Sequence, residues 1–130
     1  NYGGTKAANV SNYYAGVAYL NINDYKNAIS YLDAFTSDDA MLGPLAKGAI
    51  ADAFVELNQM DKALEYYQSA ASMQDNEFTT PRFLLKAGVV ALETGNTEKA
   101  IAHFTSITQM YPKATEAVKA KAYLSKAKQM

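Results

Sequence analysis

Apolar residues recur along this chain at helical spacing. Val10, Tyr13, Tyr14, Val17 and Leu20 fall at i, i+3, i+4, i+7 and i+10, and Tyr25, Ala28, Ile29, Leu32 and Phe35 repeat that stripe directly afterwards. Two amphipathic helices are therefore predicted, joined by a turn at Asn23. Alternation of period two never persists and hairpin-type turn chemistry is missing from the sequence, so no strand is predicted.

The helix pair recurs. Three polar, turn-like stretches lead into an alanine and then an aliphatic residue, and their alanines, Ala28, Ala63 and Ala100, lie 35 and 37 residues apart. Twelve residues before these stand Gly16, Ala51 and Gly88; nine before stand Tyr19, Phe54 and Ala91; four after come Leu32, Tyr67 and Phe104. One order of small and large positions at one period marks three copies of a helical hairpin. The turn inside each copy carries Asn23, Asn58 or Gly95, residue types that accept the left-handed conformation that ends a helix. Asp24 and Asn96 then offer an oxygen to cap the next helix, for which Gln59 is a poorer choice. The second pair is predicted to open at Pro44 and the third at Thr80-Pro81, where a capping hydroxyl precedes a proline in the first turn.

Composition narrows the function. With 49% hydrophobic and 19% charged residues and a net charge of -1, the chain is too apolar and too weakly charged to be disordered. Its longest apolar run, residues 15–20, is far too short to cross a bilayer. The absence of cysteine removes disulfides, thiolate zinc sites and cysteine nucleophiles together. The single histidine, His103, has no serine elbow or thiol to serve and cannot build the usual zinc site alone. Asp38-Asp39 lacks the alternating ligands and glycine of a calcium loop. Asp52 and Glu56 lie one helical turn apart, and without a pocket they read as a solvated acidic edge rather than as paired catalytic acids. No catalytic residue, cofactor or metal is expected.

Gly16, Tyr19 and Ala28, then Ala51, Phe54 and Ala63, then Gly88, Ala100, Phe104 and Pro112 resemble the tetratricopeptide repeat family, whose unit of about 34 residues is a helical hairpin with small residues where the helices cross. Departures are Asn12, Lys47 and Leu84 in place of the usual early tryptophan, the small Ala91, and a longer spacer at 72–79. The resemblance implies an all-α, right-handed superhelix, an α-solenoid of three helix-turn-helix repeats over 9–42, 44–77 and 81–114 with a C-terminal capping helix over 115–128, in a single domain spanning 1–130. More loosely, the chain is similar to membrane-anchored periplasmic tetratricopeptide proteins of Gram-negative bacteria. That resemblance implies an ancillary factor in envelope protein secretion or assembly, periplasmic or anchored through a segment before Asn1, with a cytoplasmic location as the alternative. The sequence opens at Asn1 without the basic end and apolar middle of a signal peptide, as expected of a mature or trimmed fragment, and Tyr2-Gly3-Gly4-Thr5-Lys6-Ala7-Ala8 resembles the junction Tyr111-Pro112-Lys113-Ala114-Thr115-Glu116-Ala117, so Tyr2 is expected to be the tail of an earlier repeat.

In such an array the first helices line a concave groove. The predicted groove residues are Tyr13, Val17 and Leu20 with Val10 and Asn21, then Leu45, Gly48, Asp52, Val55 and Glu56, then Arg82, Leu85, Val89 and Glu93 with Leu92. Gly48, without a side chain, is expected to open a gap between Tyr13 and Leu85 for a partner's side chain. A partner protein's peptide or helix would gain affinity from the apolar floor and orientation from Asp52, Glu56, Glu93 and Arg82. The family's mode of gripping a C-terminal carboxylate with Lys and Asn is not expected, because the matching positions hold Tyr13, Tyr14, Val17, Ala49 and Asp52, with Lys86 alone in the third unit. The alternative is a structural, self-associating module whose groove is filled by its own earlier repeat or a second copy, a homo-oligomer. Charge divides as -5 before Pro112 and +4 after it, the lysines flanking the stripe Ala120, Tyr123, Leu124 and Ala127. Four net charges on one short helix are a weak footprint, so nucleic acid is not an expected partner.

Overall fold

The computed structural model describes residues 5–130; the Tyr2-Gly3-Gly4 junction, expected to end an earlier repeat, lies outside the described residues. Seven helices follow one another: α1 (Lys6–Asn21), α2 (Tyr25–Ala34), α3 (Leu42–Glu56), α4 (Met60–Ser72), α5 (Thr80–Glu93), α6 (Thr97–Met110) and α7 (Glu116–Lys128). Among the described residues there is no strand. Each helix packs on the next in sequence, and α5 also reaches α7, the layout of an α-solenoid.

The three tight turns are built alike. Asn23, Asn58 and Gly95 have φ of 62°, 57° and 82°, and the residue after each returns its amide to a carbonyl five back: Asp24 to Tyr19 at 2.9 Å, Gln59 to Phe54 at 2.9 Å, Asn96 to Ala91 at 2.8 Å. Asp24 and Asn96 then accept from the amides of Asn27 and Lys99, both at 3.3 Å, whereas Gln59 makes no side-chain cap.

One helix start and one cap differ from expectation. α3 begins at Leu42, before Pro44, because Asp39 Oδ1 accepts from the amides of Met41 at 2.8 Å and Leu42 at 2.9 Å. Those two bonds hold the Asp39 carboxyl below its ordinary pKa. At α5 the Thr80 hydroxyl does not cap the helix; it accepts from the Asn76 amide at 3.0 Å. Asn76 organises this turn instead, its Oδ1 accepting from Phe78 at 2.9 Å and Thr79 at 2.7 Å while its Nδ2 donates to Ala40 O at 3.0 Å. A side-chain amide that both donates and accepts can tie one loop to the previous one, which a hydroxyl at the helix start cannot reach.

Packing explains the small and large positions. A Cβ on Gly16 would overlap the side chain of Leu32, and one on Gly88 would overlap the ring of Phe104. Leu32, Ile50, Phe83, Phe104 and Ile107 are fully buried in one apolar cluster that runs from α2 to α7. Polar links join successive hairpins at separations close to the repeat period: Tyr66 Oη to Asp33 at 3.3 Å, Gln68 to His103 at 2.8 Å, Gln74 to Asp38 O at 3.2 Å, and Tyr111 Oη to Asp75.

Candidate protein-binding groove

The positions of the predicted groove lie on α1, α3 and α5. Tyr13, Val17, Leu20, Leu45, Val55, Leu85 and Val89 are half-buried, and all but Val17 pack one side against the core cluster. Tyr13 is held by the Phe35 ring, with centroids 5.0 Å apart, and by an edge contact with Tyr14 at 5.8 Å. Glu56, Arg82 and Glu93 are exposed.

Gly48 is a correction. It opens no gap for a partner, because a Cβ there would fall within the ring of Phe83, which is 2% exposed and already occupies the space. The glycine is a socket between α3 and α5, filled from within the chain. Gly48→Ala is expected to destabilise the fold by about 1–3 kcal/mol, since overpacking a ring outweighs the gain in helix propensity of up to about 1 kcal/mol. Urea melts of Gly48→Ala with and without Phe83→Leu check this: the smaller side chain should recover part of the loss, and strictly additive losses would show that Gly48 is not there for Phe83.

Asp52 is not a free acid. Lys86 Nζ lies 3.0 Å from its Oδ1, and the Tyr67 hydroxyl donates to the same oxygen. Burial first, then the bond to Asp52, pushes the Tyr67 phenol far above its ordinary pKa, so it remains a donor. Lys86 Nζ also stands 5.7 Å from the centroid of the Tyr67 ring, Tyr67 stacks on Phe83 at 6.4 Å, and the Arg82 guanidinium lies 5.4 Å from the centre of the Phe83 ring. This ladder of two cations on two rings crosses from α4 to α5, so of the three acids of the predicted groove Asp52 is the one tied into the packing between helices. The sequence alone does not single out Lys86 and Tyr67 as partners of Asp52. The signal that points to the ion pair is opposite charges 34 residues apart, close to the repeat period.

Beyond Arg82 the surface opens into a cleft of about 680 Å³ between the turn before α5 and the turn joining α6 to α7. Away from these sites, His103 is half-buried with Nε2–H donating to Gln68 Oε1. Burial first, then the charge of Lys99, lowers its pKa and favours the neutral ring. Its partner is an amide, which offers neither a nucleophile nor a carboxylate. Among the described residues no group of three or more His, Asp or Glu could hold a metal ion, and no helix is long and apolar enough to cross a membrane.

Comparisons with known proteins follow the same architecture. A family model described as YpiA-like, C-terminal tetratricopeptide repeats matches residues 44–114, and a tetratricopeptide repeat model matches residues 11–39. No curated protein matches. A solved structure, PcrH in complex with the chaperone binding region of PopD, superposes with a TM-score of 0.75 at 22% identity, covering 97% of this chain and 96% of that one. At that identity the likeness speaks to the fold alone. With matched repeats over more than half its length, the chain belongs to the tetratricopeptide repeat family.

Proposed function

We propose that the chain is a non-catalytic scaffold that binds a peptide or helix of a partner protein along α1, α3 and α5. The observation that carries this is the row of half-exposed apolar side chains, Tyr13, Val17, Leu20, Leu45, Val55, Leu85 and Val89, on successive first helices. An apolar floor flanked by Glu56, Glu93 and Arg82 suits anchoring by side chains and orientation by charge. The similarly folded PcrH, caught with a segment of PopD, supports a polypeptide as the kind of ligand. Asp52, neutralised by Lys86, no longer biases the groove toward a basic segment. Peptides selected from a random display library on the whole chain, then titrated against variants at Leu85 and Val89, test the assignment. The narrower role, an ancillary factor in envelope protein secretion or assembly, rests on the resemblance to periplasmic repeat proteins; fractionation of cells expressing the natural gene tests it, and recovery outside the envelope would sink it.

Self-association is the second reading. Val10 is 47% and Tyr14 68% exposed on a helix whose only charge is Lys6, a face that suits a second copy. Sedimentation should then show mass rising with concentration, and Tyr14→Lys should return the monomer. A monomer at every concentration would exclude this.

A further inference from the structure

The cleft beside Arg82 is formed by side chains that packing does not account for. Phe78 and Met110 line it and are each 65% exposed, although apolar side chains of that size gain most from burial. The Phe78 ring is not on a loose loop: its amide is bound to Asn76 Oδ1, and Asn76 is tied to Ala40 in the preceding inter-hairpin loop. On the opposite wall Tyr111 is held by its hydrogen bond to Asp75. Apolar side chains on backbone fixed this way, inside a rim of charged residues, are preorganised for a ligand.

Its charges specify what enters. Glu77 and Glu116 line the cleft together with Arg82 and Lys113, two acids against two bases, so the rim cancels. Neither Arg82 nor Lys113 has a carboxylate within 4.0 Å among the described residues. These cations are therefore available to peptide carbonyls, while the balanced field favours no charged anchor. A volume of about 680 Å³ lies in the range of ligand-binding clefts and leaves room for one large side chain with its flanking backbone. Arg82 belongs both to this cleft and to the rim of the groove, so one extended chain can run from one to the other.

We propose that this cleft is an anchor site for an uncharged apolar side chain, aliphatic or aromatic, of an extended partner peptide, continuing the groove past Arg82. The proposal rests on the peptide-binding function proposed for the groove.

The test uses peptides selected from a random display library on the whole chain, labelled and titrated by fluorescence anisotropy. Phe78→Ser and Met110→Ser, both at exposed positions, should each weaken binding at least about 10-fold, and placing Asp or Lys at the peptide's anchor residue should do the same. Loss of binding with Leu85→Asp but not with the cleft variants overturns the cleft site and leaves the groove standing. Loss with the cleft variants alone keeps the cleft site and removes the groove. Selected peptides that need a charged residue or free carboxylate at the anchor overturn the neutral specificity. A dimer abolished by Met110→Ser would mean that a second copy fills the cleft, and a library that yields no binder overturns groove and cleft together.

Discussion

Replacing Phe104 with alanine is expected to remove about 3–5 kcal/mol of folding free energy. The ring is fully buried and stacks on Tyr123 of α7 with centroids 5.3 Å apart and planes 11° from parallel. One edge of the ring meets Gly88, small enough that the ring can press against the backbone of α5. That geometry makes the cavity hard to close, because no side chain on α5 at this point can move in. In a solenoid each element is stabilised by its neighbours, so the damage should also be local. Urea denaturation gives the magnitude and amide hydrogen exchange the distribution: α6 and α7 should lose protection well before α1 and α2. A loss below about 1 kcal/mol, or equal loss of protection throughout, would contradict this account of the core.

The second large effect concerns binding. Leu85→Asp together with Val89→Asp should weaken any peptide held by the groove about 100-fold, some 2.7 kcal/mol. Each change removes an apolar contact at the α5 end of the row and places a carboxylate where the ligand would exclude water, and both costs fall on the bound state. The two side chains are half-buried, so the variant's melting temperature and helical circular dichroism must match the parent. Should the double variant unfold, Leu85→Ser alone keeps the experiment decisive with a smaller expected loss. Unchanged affinity in a folded variant would exclude the groove as the binding face.

Residues that act within a few positions of one another are legible from the chain alone. Helical periodicity places the helices, and Asn23, Asn58 and Gly95 announce left-handed turns because few other residue types tolerate positive φ. Gly16 with Leu32 and Gly88 with Phe104 can be read as small against large because each pair sits inside one hairpin. The start of α3 falls earlier than Pro44 suggests because an aspartate just ahead of a helix, here Asp39, is a strong cap as well as a possible metal ligand. Asn76 carries no comparable local signal, since its partner Ala40 lies 36 residues away.

By itself the sequence determined the fold class, the hairpin turns and which faces of the first helices are apolar, since these follow from local backbone preference and from a period repeated three times. Only the tertiary structure decided which hole each side chain fills and which charge each charge meets. Phe83 enters the Gly48 socket from the next hairpin, Lys86 pairs with Asp52, and Phe78 and Met110 come to line one cleft. Such pairings depend on how far and at what angle one hairpin is set against the next. That is fixed by the summed packing of a whole interface, so a residue that reads as an open gap along the chain can be the most tightly filled point in the fold.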